Sequence, residues 1–517
     1  MESSQIKGLF IIVLSAMFAV YLGVAAATAS FEALAWVAGF VGIAFVLALG
    51  ESVWALIPIT LVLQGNLSMA PGAPPVWAAS TAVVGAVYLA RLALRRPDFV
   101  FRIDWLDVMV LIHLAVIAQA YARNPTGLFI LGGSMAGGKS YFLFGVAIFA
   151  YFALSFTRPN AKVFKRVIVC MVLIQVADGT LLTITDRSPS IGALILPIYS
   201  NVNLGVAMMT GGSGPGIDYD ASRGGSGFSL LGKALVIPCF SMFRPLNCLS
   251  PFHPFLLFFT LTGSALMLLS GFRSGIAYLV AIFIVSAIVR RRYMDVVFMT
   301  LIGTLGLGAV LASGSVRSLP FGAQRVLSVL PWVDVRSEAR ADAENSSEWR
   351  FEMWRLVLGT DRYVSNKVLG DGFAIKRAEM EAILDEVKGF TAMDSQEKAL
   401  AQGAYHGFHV ETIRFTGVVG LVSALAIMIA AFVKALKLVR YYRGQELFPY
   451  ITYICIPALL YPFWSMLVFG SYRIEFPQII AMAGVLKILD NLRLSQEVKV
   501  KEEQPAVAVG LQHAPAR

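Results

Sequence analysis

The fold class this sequence predicts is an all-α bundle of membrane-crossing helices, and two observations carry it. Of its residues 57% are hydrophobic and only 14% are charged, giving a mean hydropathy of +0.71. The apolar residues are also gathered into runs long enough to cross a bilayer, which takes about 20 residues in a helix. A chain this apolar excludes an ordinary soluble enzyme, and no alternation of strands and helices suggests an α/β domain.

Candidate spans begin near Leu9, Glu32, Ser52, Trp77, Asp104, Tyr141, Val163, Phe228, Pro254, Gly275, Val296, Val410, Tyr450 and Ile474. The runs at 52–63 and 228–243 are short, so the expected number of spans is about 12–14. Ala27-Thr28-Ala29 imitates a signal-peptidase site, but the apolar run before it is long, only Lys7 marks its start, and further spans follow. It reads as a first span. The one long polar interval divides the chain: membrane helices over 1–313, a partly helical extracytoplasmic segment over 314–408, membrane helices again over 409–492, and a disordered cytoplasmic tail over 493–517.

Lys and Arg in short loops set the orientation, because cytoplasmic loops are enriched in them. Arg95-Arg96 with Arg102, Arg158 to Arg166, Arg290-Arg291-Arg292 and Lys434 to Arg443 fall on one side when the N-terminus is cytoplasmic. The C-terminal tail then ends inside as well. Arg123 to Lys139, Asp186 to Gly224, Ser270 to Ser274, the polar interval and Arg473 fall outside. The net charge of +10 therefore reads as orientation bias and attraction to anionic lipid, with no nucleic-acid partner. Cys170 and Cys455 lie in spans and Cys239 and Cys248 near a cytoplasmic end, so no disulfide framework is expected.

Charged residues at the outer ends of spans are costly unless they bind something or line a wet cavity. Arg273 lies in the tight turn Ser270-Gly271-Phe272-Arg273-Ser274-Gly275, and Arg223 in the glycine-rich Asp220-Ala221-Ser222-Arg223-Gly224-Gly225-Ser226-Gly227. Each has a plain alternative: an interfacial arginine reaching lipid phosphate for the first, a flexible connector for the second. In the polar interval, Ser346-Ser347-Glu348 predicts the cap of a helix bearing Phe351, Trp354 and Leu358 on one stripe and ending at Gly359. A second helix is expected over about Ile375 to Lys388, stopping at Gly389. At the end of the interval stands Tyr405-His406-Gly407-Phe408-His409, and nine residues after Gly407 comes Gly417-Val418-Val419-Gly420.

These motifs resemble those of bacterial O-antigen ligases and polymerases. The family signature is His, then Asn, Ser or Gln, then nine residues, then Gly-x-x-Gly; here His406 and Gly417-x-x-Gly420 match, and Gly407 departs. The Arg273 turn is similar to the family's Ser-x-Ser-Arg-Gly, with Phe272 in place of the second serine. Arg350 and Trp354, followed by Gly370-Asp371-Gly372-Phe373, resemble its Arg-x-x-x-Trp helix and Gly-x-Gly-Phe turn. The likeness runs from about Arg223 to Leu421. It implies a GT-C-like membrane enzyme of the bacterial inner membrane, with a glycan on undecaprenyl diphosphate as donor and a lipid or glycan as acceptor. Arg273 and Arg223 would then hold the diphosphate and His406 would act as general base, with Arg350, Lys139, His409 and Trp354 as substrate contacts. Such a donor is already activated, so neither metal nor cofactor nor nucleotide is called for. Ligase, repeat polymerase and protein O-oligosaccharyltransferase remain open, as does a transporter, which would be expected to show internal repeats and mid-bilayer charges.

Two patterns read as coincidences. Gly133-Ser134-Met135-Ala136-Gly137-Gly138-Lys139-Ser140 fits a phosphate-binding loop by letter, but a membrane span follows it and no parallel strand precedes it. His406, His409 and Glu411 come from one short stretch, which does not close a metal site without a ligand from elsewhere. His113, inside a span, reads as a packing or hydrogen-bonding histidine, and His513 as a solvated residue of the tail.

Overall fold

The computed structural model describes the chain except residues 1–41, 43–45, 47, 69, 71, 95–99, 128–134, 196–197, 202–224, 362, 377–404, 406 and 511–517. The chain divides into two compact units, Met1–Trp54 and Ala55–Arg517. Little of the first is described beyond the start of a 3₁₀ turn at Gly50–Ala55. All that follows concerns the second.

In chain order the second unit has α1 (Leu56–Leu61), β1 (Gly65–Leu67), α2 (Val76–Ala93), α3 (Trp105–Arg123), β2 (Met135–Ala136), α4 (Gly138–Ser155), α5 (Ala161–Arg187), α6 (Pro189–Ile195) and β3 (Tyr199–Asn201). Then come α7 (Gly225–Met242), α8 (Pro254–Leu269), α9 (Arg273–Val289), α10 (Tyr293–Ala312), α11 (Phe321–Leu327), α12 (Ser337–Gly359), β4 (Ile375–Lys376), α13 (Phe408–Tyr442), α14 (Phe448–Leu467) and α15 (Glu475–Gly510). Among the described residues, seven helices are long and apolar enough to cross a membrane, and α7, α8 and α9 are shorter apolar helices. Every predicted span from Ser52 onward coincides with helix; those at Leu9 and Glu32 lie outside the described residues. Among the described residues the strands form two short antiparallel pairs, β1 with β3 and β2 with β4. The architecture is an all-α bundle, as expected of a multi-pass membrane protein.

The helices sort their charges to two ends. At one end Lys434 of α13 bonds Asp104, the cap of α3, at 2.5 Å and Asp490 of α15 at 2.9 Å. One turn deeper, buried Lys487 meets Asp107 at 2.6 Å, and Asp107 also accepts from Tyr151 at 2.7 Å. Buried charges survive only when paired, and here each has a partner from another helix. Lys165 with Glu446, Arg443 with the Val289 carbonyl, and Arg290 with the Ser241 carbonyl lie at this same end. The clusters assigned to one side by loop charge are thus joined by contact. Arg123, at the far end of α3 from Asp104, Arg273, at the far end of α9 from Arg290, and Arg473, beside Glu411 at the start of α13, belong to the opposite end.

Three expectations change. Helix α12 begins at Ser337 rather than at Ser346, because Asp342 pairs with Arg325 and extends the ordered run backward. Its large buried residues are Met353 and Val357, with Trp354 and Leu358 of the expected stripe packed beside them on Val364, Tyr405 and Val410; Phe351, the third, is 67% exposed. Of the second expected helix, Ile375-Lys376 is strand, paired with Met135-Ala136, and residues 377–388 lie outside the description. Helix α15 continues through the tail as far as Gly510, with Arg493 bonded to Asp490 and Glu497 on its own face.

Candidate functional site

The glycine pair that ends the signature is a break within a helix. In α13, Gly417 has φ 72° and ψ −175°, a left-handed geometry that glycine alone adopts without strain. A break removes the bonds from the amides of residues 418 and 419 to the carbonyls of 414 and 415, and such groups cannot be left unpaired in an apolar setting. The loop before β4 supplies all four partners. Val418 and Val419 donate to the carbonyls of Lys367 and Val368, at 2.9 and 3.2 Å, while Asp371 and Gly372 donate to those of Arg414 and Phe415, both at 2.9 Å.

That loop is itself held from several directions. Arg123, at the end of α3, donates to the carbonyls of Leu369 and Gly370, each at 2.6 Å. Asn124 donates to those of Asp371 and Ala374. The Asp371 carboxylate accepts from Ser365, from the Asn366 amide and from Arg414 at 2.7 Å. Phe373 is buried and stacks on Phe415 at 4.8 Å, with Tyr141 edge-on at 4.8 Å.

Above the break, the short N-terminal part of α13 leads back to the signature histidine. His406 itself lies outside the described residues, but both its neighbours touch Trp354. The indole Nε1 donates to the Tyr405 carbonyl at 2.9 Å, and a Cβ built on Gly407 would lie 2.7 Å from the same nitrogen. His409 meets the indole edge-on at 4.7 Å. Glu411 turns the other way, accepting from the Ser471 hydroxyl at 2.9 Å and the Tyr472 amide at 2.8 Å. Burial pushes the Tyr405 phenol up, against the pull of nearby Arg414 and Arg473.

Trp354 connects this region to the arginines. Ser347, Arg350 and Trp354 fall at i, i+3 and i+7, on one face of α12. Arg273, the first residue of α9, donates to the Ala343 carbonyl at 2.7 Å and to Ser347 Oγ at 2.9 Å. Burial, and then the positive charge of Arg273, hold the Arg350 guanidinium below the usual arginine range. Two guanidinium groups from different segments therefore share one neighbourhood, and Trp354 is one turn, about 6 Å along the helix, from the second. Arg325 fixes the floor, bonding the Gly271 carbonyl at 2.9 Å and pairing with Asp342.

Of the residues expected from sequence, Arg273, Arg350, Trp354 and His409 are brought together along α12. Arg223 lies outside the described residues. Lys139 engages another segment, donating to the Ala73 carbonyl at 2.9 Å. Of the phosphate-loop pattern, the described residues Met135 to Ser140 belong to the short antiparallel β2–β4 pair and the start of α4, the wrong setting for a nucleotide. His113 is buried with both ring nitrogens engaged, by Ser423 at 2.8 Å and Tyr472 at 3.0 Å, as a structural histidine should be. Sequence reasoning missed Arg123, Asp371, Arg414 and Arg473. Arg123 and Arg473 carried a signal in their outer-side position and Asp371 in Gly370-Asp371-Gly372-Phe373; Arg414 carried none. No family model matches the sequence, and neither does any characterised protein.

Proposed function

We propose that this protein transfers a glycan from an undecaprenyl-diphosphate-linked donor to an acceptor hydroxyl at the outer face of the bacterial inner membrane, with both chain termini cytoplasmic. The acceptor oxygen attacks the anomeric carbon as the bond from that carbon to the diphosphate oxygen breaks. The leaving diphosphate carries the bonding electrons and its negative charge. Arg273 and Arg350, with Arg223, stabilise that charge through their planar, multi-donor guanidinium groups. His406 takes the proton of the attacking hydroxyl, work suited to an imidazole with an unperturbed pKa of about 6.5.

The observation that carries this reading is the course of α12. One face of a single helix runs from the like-charged pair Arg273 and Arg350 to the indole packed on Tyr405, Gly407 and His409. An anion subsite and a histidine-bearing loop within a few helical turns are what diphosphate departure and proton removal require of one site.

The test is transfer by the purified full-length protein in detergent, from a lipid-linked glycan donor, with EDTA present and nucleotide absent. A single added glycan on a lipid acceptor identifies a ligase, and a ladder of repeats a polymerase. Absence of transfer to lipid, glycan and protein acceptors alike, with donor shown to be intact, overturns the proposal.

A further inference from the structure

The break at Gly417 separates α13 into two pieces with different surroundings. The longer piece, from Val418 to Tyr442, is packed against α3 and α14. The shorter piece, Phe408 to Thr416, follows the signature histidine in sequence. Across the break two backbone bonds of the helix are exchanged for four to the loop of residues 367–372. Two are accepted by the Arg414 and Phe415 carbonyls of the shorter piece, and two are donated by Val418 and Val419 of the longer. A continuous helix would transmit its orientation through the i to i−4 ladder. Here the ladder is interrupted, so the direction of the short piece depends on its own contacts, Glu411 with Ser471 and Tyr472 and Phe408 on Phe476, and on where the loop is held.

Two charged side chains hold it. Arg123 fixes the Leu369 and Gly370 carbonyls from the end of α3. Asp371 closes the loop on itself through Ser365 and Asn366 and ties it to Arg414 in the short piece. We propose that Arg123 and Asp371 are positioning residues: they set the short piece, Phe408 to Thr416, relative to α12 by pinning the loop that bridges the broken helix. This rests on the reading of His406 as general base, and it adds residues that never meet the substrate. Because Arg273 is held by Ala343 and Ser347 on α12 and not by this loop, loosening the loop is expected to affect proton removal more than donor binding.

The experiment uses the full-length protein in detergent and two readouts. Hydrogen exchange reports the amides of Asp371, Gly372, Val418 and Val419, and steady-state transfer gives kcat and the donor KM. Asp371→Asn keeps the shape but loses the charge that holds Arg414. It should accelerate exchange at those amides and lower kcat on the order of a hundredfold, the scale of a 1 Å misplacement, with the donor KM within about twofold. Arg123→Gln should do the same, and Asp371→Glu should recover part of kcat. Faster exchange with unchanged kcat overturns the positioning role, and unchanged exchange overturns the clamp itself. His406→Ala in the same preparation separates the two ideas. If it stays active, the general-base reading falls, and exchange in Asp371→Asn still decides for or against the clamp.

Discussion

The indole of Trp354 occupies the space that a side chain at position 407 would need: a Cβ on Gly407 would lie 2.7 Å from Trp354 Nε1 and 2.8 Å from Cε2. The signature resembled by this stretch has Asn, Ser or Gln at that position, and here the volume is filled from another helix. Trp354 also bonds the Tyr405 carbonyl, so the aromatic ring both fills the gap and fixes the backbone beside His406 in sequence.

Gly407→Asn is therefore expected to destabilise the protein, since overpacking a filled site costs about 1–3 kcal/mol. Trp354→Ala alone should lose the bond to Tyr405 and its packing. The pair Gly407→Asn with Trp354→Ala should be less damaging than the sum of the two, because the clash exists only when both side chains are present. Thermal unfolding in detergent and transfer activity on the four proteins measure this. Strict additivity would mean that the indole does not occupy that space.

Arg273→Ala should reduce transfer by about 2–4 kcal/mol in barrier terms, comparable with loss of one oxyanion donor. Arg273→Lys keeps a charge but not the fork that grips two oxygens, so it should also fall well below wild type. Inorganic pyrophosphate should compete with donor in wild type and compete more weakly in Arg273→Ala and Arg350→Ala. Ser347→Ala is the control: it removes one bond to Arg273 without touching the charge, and should keep most activity. Equal loss in Ser347→Ala and Arg273→Ala would reduce Arg273 to a strut for α12.

The two histidines of the signature should behave differently. His406→Ala is expected to abolish transfer without lowering membrane expression. His409 is half-buried against the edge of Trp354, so His409→Ala should keep at least about a tenth of the activity, a loss below roughly 1.4 kcal/mol. EDTA should change neither result. Activity that survives in His406→Ala and vanishes in His409→Ala would shift the functional histidine by three residues along the chain.

The sidedness of the bundle gives a fourth expectation. Asp361, in the polar interval, and Glu446, between α13 and α14, each have side chains 86% exposed. Asp361→Cys should react with a membrane-impermeant thiol reagent in intact spheroplasts, and Glu446→Cys only after lysis. Cys239, Cys248 and Cys455 are buried and Cys170 is half-buried within α5, so labelling of the unsubstituted protein is the control. The reverse pattern would invert the orientation and move the proposed site to the cytoplasmic side.

Hydropathy and loop charge by themselves determined that this is a bundle of membrane helices, and which loops share an end. Both are local or summed properties: a run of apolar residues needs no distant partner to favour a helix in an apolar medium, and the charge bias acts loop by loop. The contacts among Lys434, Asp104 and Asp490 agree with that grouping. The limits of α12 were not legible, because its first turns depend on Arg325 and Arg273, which reach it from elsewhere in the chain.

What only the tertiary structure decided is the meaning of the glycines and the company of the arginines. Gly417-x-x-Gly420 is in the sequence only a spacing from His406; it is a break inside a helix because a loop some fifty residues earlier in sequence completes its backbone bonds. Arg123 holds that loop from 246 residues away, and Gly407 is small because Trp354 fills its space. No spacing rule reports such pairs, since each depends on two segments meeting once the bundle has packed, and unpaired backbone groups in an apolar interior are too costly for the chain to leave unmatched.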